Sequence, residues 1–353
     1  MTLAQPTSAG KLPPAGGAGD AGAGDAGAGA FGRLTALVAD DLEAVSALIR
    51  ERMNSEHAPR IPEISAHLIE AGGKRLRPIL TLAAARLCGY QGRDHVKLAA
   101  TVEFIHTATL LHDDVVDESK RRRGRATANI LWDNKSSVLV GDYLFARAFR
   151  LMVETGSLRV LDILSNASAV IAEGEVLQLS TAHDLGTDRA RYFQVIRGKT
   201  AALFAAAAEA GGVIAGADEA EVEALATYGD ALGIAFQLAD DWLDYAGSAK
   251  ALGKNTGDDF REGKVTMPVI EAMAAGNAEE RAFWQRTIGA GKQEPADLDR
   301  AMALVASSGA LATTRAAARA EADRAIEALS AFAPSPMRRA LSDVAEFVVS
   351  RDA

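Results

Sequence analysis

Cysteine is nearly missing from this chain: Cys88 stands alone among 353 residues. One thiol excludes an internal disulfide and a cysteine-only metal site, and it fits a reducing compartment. Positive charge is not in excess either. The net charge of −9 and a pI near 5.3 argue against nucleic acid as a partner and leave any cationic function local. No long apolar run occurs: the richest stretch, "TAALFAAAAEAGGVIAG" (200–216), is mostly alanine, contains Glu209 and breaks at a glycine pair, so it reads as a buried helix and not a membrane span. The first thirty residues lack arginine and show no apolar segment after a basic start, unlike a secretory signal or transit peptide. Aromatic residues are only 5%, and alanine dominates the middle of the chain, which lets helices approach closely. Alternation of β-branched and polar residues is absent over any useful length, which argues against a sheet.

What is present is a globular composition, 48% hydrophobic and 24% charged, long enough to bury a large core. Residues 1–32, mostly Gly, Ala, Pro and Ser, read as a disordered leader. From residue 33 to 353, apolar residues recur at three-and-four spacing, as in "LTALVADDLEAVSALIRERM" and "HVKLAATVEFIHTATLLHDDVVD". The expected fold is therefore all-α, a large single-domain bundle of ten or more helices, located in the cytoplasm.

Two acidic motifs interrupt this pattern. "LLHDDVVDESKRRRG" (110–124) carries Asp113, Asp114 and Asp117; "FQLADDWLD" (236–244) carries Asp240, Asp241 and Asp244. Four residues make roughly one helical turn, so the first and last aspartate of each motif share a face and repel. At the end of an apolar helix the macrodipole makes that worse. A single acidic helix end is common on surfaces. Two at identical spacing, each closing an apolar helix and each followed by cations, call for a counterion. Oxygen-only ligands suit a hard ion such as Mg²⁺, which takes one or two protein carboxylates and fills its remaining positions with water and phosphate oxygens. Facing carboxylate clusters could thus hold a diphosphate through bridging Mg²⁺. His106 and His112 lie close by, although a lone helical histidine is more often packed than a ligand.

The cations fit the same picture. "GGKRLRP" offers Lys74, Arg75 and Arg77; "KRRRGR" offers Arg122 and Arg123; "RGKT" offers Lys199; "GKNTGDDFREGK" offers Lys254 and Lys264. Arginine recognises phosphate with a planar fork and lysine as a point charge.

These segments, together with "EFIHTATLLHDDVVDESKRRRGRATAN", "GDYLFARAF", "IAEGEVLQL", "GKTAALF" and "GKNTGDDFREGKVTMP", resemble the trans-isoprenyl diphosphate synthases of the polyprenyl synthetase family over roughly residues 70–270. The long-chain members that make octaprenyl to decaprenyl diphosphate for quinone side chains are the most similar. The resemblance implies the isoprenoid synthase fold with a central cavity, a homodimer, and repeated head-to-tail condensation of isopentenyl diphosphate with an allylic diphosphate such as farnesyl diphosphate. It implies that Asp113 and Asp117 hold two Mg²⁺ ions and Asp240 a third, supported by Asp114, Asp241 and Asp244. Arg122, Lys199 and Lys254 would grip the allylic diphosphate, while Lys74, Arg77, His106 and Arg123 would hold isopentenyl diphosphate. Gln237 and Thr200 would lie near the carbocation. The growing chain would run along the helix before Asp113, past Thr109, Ala108, Ile105 and Thr101, with Phe104 as floor or core. Small residues at Ala108 and Thr109, where short-chain members carry a bulky aromatic, imply a long product, and a lipid product implies transient membrane contact. The alternatives are a shorter-chain synthase of the geranylgeranyl class, a terpene cyclase, or a non-catalytic subunit on the same fold.

Overall fold

Alanine and glycine let the central helices touch backbone to backbone. A Cβ built on Gly229 would lie 2.4 Å from the Phe204 carbonyl oxygen, and one on Gly233 would lie 2.6 Å from the Ala201 Cα. No other residue fits there without separating the two helices. The computed structural model describes residues 24–70, 73–122, 124–246 and 256–350.

Helices α1 (Gly24–Leu37), α2 (Ala39–Arg52), α3 (Arg60–Glu70) and α4 (Leu76–Leu87) lead into α5 (Asp94–Val116). The motif "KRRRGR" departs from the helical pattern: Arg121–Arg122 and Arg125–Ala126 form a two-stranded antiparallel hairpin around Gly124, whose φ of +78° only glycine adopts cheaply. Helices α6 (Ala128–Leu131), α7 (Asn134–Val153), α8 (Leu158–Thr181) and α9 (Arg189–Ile196) follow, then a π-helical turn, Arg197–Ala201. Next come α10 (Ala202–Ala215) and α11 (Glu219–Ala246). Beyond residue 256 lie α12 (Asp258–Arg261), α13 (Met267–Ala275), α14 (Ala278–Trp284), α15 (Asp297–Ser307), α16 (Ala310–Ala328) and α17 (Pro336–Ser350). The fold is all-α, as expected.

One large core surrounds α5, which packs against α2, α4, α7 and α10, while α11 lies between α10 and α16. A second, aromatic core gathers Phe260, Phe283 and Trp284, and the two cores meet at Ile270. Residues 24–32 of the expected leader lie within α1, whose Arg33 pairs with Asp343 of α17 at 2.8 Å. Residues 1–23 of that leader lie outside the described residues. Among the described residues, no helix is long and apolar enough to cross a membrane.

Candidate active site

The first aspartate motif closes α5. Asp117 is its C-cap residue, and its backbone N–H donates to the Asp113 carbonyl at 2.8 Å. Asp114 is buried, at 1% exposure, and its Oδ1 accepts from Arg122 Nε at 2.9 Å. The hairpin therefore exists, in part, to return a guanidinium to the helix that precedes it. Asp114 Oδ2 is buried with no hydrogen-bond partner, an orphaned acceptor at the edge of the motif. Burial pushes the Asp113 carboxyl up to about 7; Lys199 and Arg122 work against this, while Glu175 and Asp117 add to it. His112 takes no part: its ring lies against Gly141 of α7, and Nε2 is 3.1 Å from the Val138 carbonyl oxygen.

Across from Asp113, Lys199 sits in the π-helical turn between α9 and α10. π-Turns often mark functional sites, because the inserted residue redirects its neighbours. Here the turn is seated by glycines: a Cβ on Gly174 of α8 would meet the Lys199 backbone nitrogen at 2.6 Å, and one on Gly198 would meet the Gly174 Cα at 3.0 Å. Lys199 Nζ donates to Glu175 Oε2 at 2.8 Å. The next residue starts a chain of hydrogen bonds into the second motif. Thr200 Oγ1 donates to Gln237 Oε1 at 2.9 Å, and Gln237 Nε2 donates to Asp241 Oδ1 at 2.8 Å. The Tyr192 hydroxyl donates to the other oxygen, Asp241 Oδ2, at 2.5 Å. Burial pushes Asp241 up to about 7 as well, restrained by Tyr192 and Gln237 and reinforced by Asp240 and Asp244. Asp240 is half-buried beside it. Asp244 faces away, towards α12: its two oxygens accept from the backbone N–H groups of Asp258 and Asp259, each at 3.1 Å.

The two motifs open on one cleft, and Lys264 shows it. Burial alone would lower the Lys264 pKa, but Glu262, Asp259 and Asp117 outweigh burial and raise it. Lys264 is thus within electrostatic reach of Asp117 of the first motif and Asp259 beside the second. A cavity of about 110 Å³ is lined by Lys199, Thr200, Gln237, Asp241 and Lys264. Among the described residues, no three His, Cys, Asp or Glu side chains are close enough together to cage a metal ion. The donor set is instead an open one, crowded buried carboxylates facing lysines, which suits a hard ion that keeps water and phosphate oxygens.

The "GGKRLRP" segment divides. Arg77 lies 3.3 Å from His106 Nε2, with its guanidinium 4.4 Å from the centre of the Phe204 ring. Lys74 lies over the Phe347 ring at 5.2 Å. His106 is seven residues before Asp113, on the same face of α5 and about 10 Å along it. Arg75 departs from the expectation that it joins this group. Its backbone takes a left-handed φ of 47° at the N-cap of α4, which turns the guanidinium to Ser46 of α2 at 2.5 Å. Arg123 and Lys254 lie outside the described residues. Thr101, Ile105 and Ala108 are fully buried along one stripe of α5, with Thr109 half-buried above them. Phe104, one turn before Ala108 and so on the same face of α5, is wholly buried in the main core.

Glu175, Tyr192 and Asp259 were not among the sequence-derived candidates. The signals were present: Glu175 lies inside "IAEGEVLQL", Tyr192 lies two turns before Lys199, and Asp259 lies inside "TGDDFREGK".

An all-α bundle in which two aspartate motifs and several cations share one cleft defines the isoprenoid synthase class of prenyltransferases. A polyprenyl synthetase family model matches residues 58–305, and the chain belongs to that family. It is 46% identical to the octaprenyl diphosphate synthase of Escherichia coli over 320 residues, covering 91% of this chain and 98% of that one. The crystal structure of a decaprenyl diphosphate synthase from Rhodobacter capsulatus matches with a TM-score of 0.88 and 66% identity, covering 90% of this chain and 98% of that one. A polyprenyl synthase from Caulobacter crescentus, crystallised with calcium and isoprenyl diphosphate, matches with a TM-score of 0.88 and 55% identity, covering 92% and 98%. Enzymes of the family act on isoprenyl diphosphates and use a divalent metal.

Proposed function

We propose that this chain condenses isopentenyl diphosphate repeatedly with an allylic diphosphate, farnesyl diphosphate or similar, to give an all-trans polyprenyl diphosphate of octaprenyl to decaprenyl length for a quinone side chain. The observation that carries the reading is the cavity that brings Lys199 and Lys264 together with Thr200, Gln237 and Asp241 of the second motif. The similarity to octaprenyl and decaprenyl synthases supports the product class.

Asp113, Asp117 and Asp240 would hold three Mg²⁺ ions, which supply charge neutralisation for a departing diphosphate. The residues of the chain do the rest. Lys199, Lys264 and Arg122, with Lys254, bind the allylic diphosphate oxygens and stabilise the negative charge that grows on them as the carbon–oxygen bond breaks. Lys74, Arg77 and His106, with Arg123, orient isopentenyl diphosphate one or two turns along α5, so that its double bond attacks the allylic carbon and the resulting cation loses a proton to restore a double bond. The Thr200 hydroxyl and the Gln237 amide present their dipoles beside the cation formed there, and Asp241 with Tyr192 fixes both in place. The apolar stripe Thr101, Ile105 and Ala108 would take up the growing chain and keep water from quenching the cation.

We assign the exposed apolar face of α7 and α8, including Leu139 (67% exposed), Val153 (65%) and Val176 (67%), to a homodimer interface. Release of a lipid product would require peripheral contact with a bilayer.

Incubating the protein with farnesyl diphosphate, labelled isopentenyl diphosphate and Mg²⁺, then dephosphorylating and sizing the product by chromatography, tests the reading. Products of eight to ten isoprene units are expected. No incorporation, or cyclic products, would overturn it, and a four-unit product would shift it to the geranylgeranyl class. Ala108→Phe should shorten the product to about three or four units. If Ala108 were only core, the added ring would instead cost about 1–3 kcal/mol of stability and leave chain length unchanged.

A further inference from the structure

Glu175 is an anomaly in a cleft built for a diphosphate. It adds a negative charge beside the lysine expected to hold the phosphate oxygens, and it is close enough to Asp113 to raise that carboxyl further. A residue selected only to bind substrate would not be anionic here. The pair is neither sealed nor free: the side chains of Lys199 and Glu175 are 24% and 22% exposed. The backbones that carry them are packed tightly, since a Cβ on Gly174 would lie 2.6 Å from the Lys199 backbone nitrogen. The Glu175 carboxylate thus stays within reach of the Lys199 ammonium, free to return when an anion leaves.

We propose that Glu175 is a positioning residue that holds Lys199 in the empty site and competes with pyrophosphate for its ammonium. It thereby weakens pyrophosphate binding and speeds its release between successive condensations. This rests on the synthase reading above, in which each round leaves one pyrophosphate in the cleft that must depart before the next. Lys264 and Arg122 have carboxylate partners of their own, Glu262 and Asp114, so each of these three cations is held by a carboxylate before substrate arrives. Glu175 differs from Asp114 in being partly open to the cleft, where an incoming anion can displace it.

Calorimetric titration of inorganic pyrophosphate in Mg²⁺ into wild type, Glu175→Gln and Glu175→Ala tests this without requiring turnover. Both variants should bind pyrophosphate roughly three- to tenfold more tightly, with Glu175→Asp returning towards wild type. In steady state, kcat and the KM for the allylic diphosphate should fall together while the KM for isopentenyl diphosphate stays constant, a split that a merely structural role would not produce. Pyrophosphate binding that is unchanged or weaker in whichever of the two variants retains a wild-type thermal melt would overturn the inference alone. Wild-type protein that takes up no pyrophosphate would overturn the synthase reading and this inference with it.

Discussion

The two aspartate motifs have the same spacing and occupy corresponding ends of α5 and α11, yet their surroundings differ. In each, the second aspartate is the buried member: Asp114 at 1% exposure and Asp241 at 4%. Asp114 is held by a full charge, Arg122, delivered by the hairpin just after it in sequence. Asp241 is held by neutral donors, Tyr192 and Gln237, from within the bundle. The third aspartates diverge further. Asp117 faces the cleft and Lys264, whereas Asp244 accepts from the backbone of Asp258 and Asp259 and anchors the segment that brings Lys264 back. One motif therefore serves mainly as a ligand set, and the other is half ligand and half scaffold. Carboxylate spacing sets which residues can meet a cation; the neighbouring donors decide which of them are spent on holding the protein together.

That division of labour can be broken by substitution. The largest effect should come from the first aspartate of each motif: Asp113→Asn and Asp240→Asn should each lower kcat on the order of 10²–10³-fold with little change in Tm, read by incorporation of labelled isopentenyl diphosphate. Equal loss of Tm and activity would place these residues in the scaffold instead. Next, Gly174→Ala should raise the KM for the allylic diphosphate and cost about 1–3 kcal/mol, because its methyl group would meet the Lys199 backbone nitrogen. Arg122→Met, which leaves Asp114 without its charged partner, should cost about 1–3 kcal/mol in denaturant unfolding, discounted because Arg122 is partly exposed. The smallest effect, about 1 kcal/mol, is expected for Tyr192→Phe, since Gln237 still donates to Asp241.

Acidity sharpens the comparison without mutation. Burial pushes Asp113 and Asp241 both up to about 7. Unfolded aspartate releases its proton near 3.9, so between about pH 4 and 7 the native chain binds more protons than the unfolded one. The stability contributed by these two groups therefore falls as pH rises through that window in metal-free protein. A bound divalent cation needs the carboxylates and opposes the trend. Melting curves from pH 5 to 8, with EDTA or with Mg²⁺, should draw apart as pH rises, and a constant gap would refute the assignment of Asp113 to the metal.

Much of this was legible in one dimension. Helical periodicity, the equal spacing of the two acidic motifs and the clustering of cations after them are local properties of the chain, and each element formed where those properties required. Three positions show what one dimension does not carry. The helix starting at Gly24 is built on alanine and glycine, whose composition suggested disorder, yet it docks on α17 through Arg33. Arg75 had the right chemistry for phosphate, but its left-handed backbone turns it to Ser46. Phe104, open between tunnel floor and core in the sequence, is wholly buried in the main core one turn from Ala108.

The sequence by itself determined that the chain is helical, that two carboxylate triads each crowd one helix end, and that such crowding needs a cation, because repulsion between neighbours one turn apart depends only on spacing. Only the tertiary structure decided which carboxylates stay available. Some of the partners that engage the others come from remote segments: Tyr192 lies 49 residues from Asp241, and Asp258 lies 14 from Asp244. Burial and hydrogen bonding across such separations follow from how helices pack, and no local pattern encodes them.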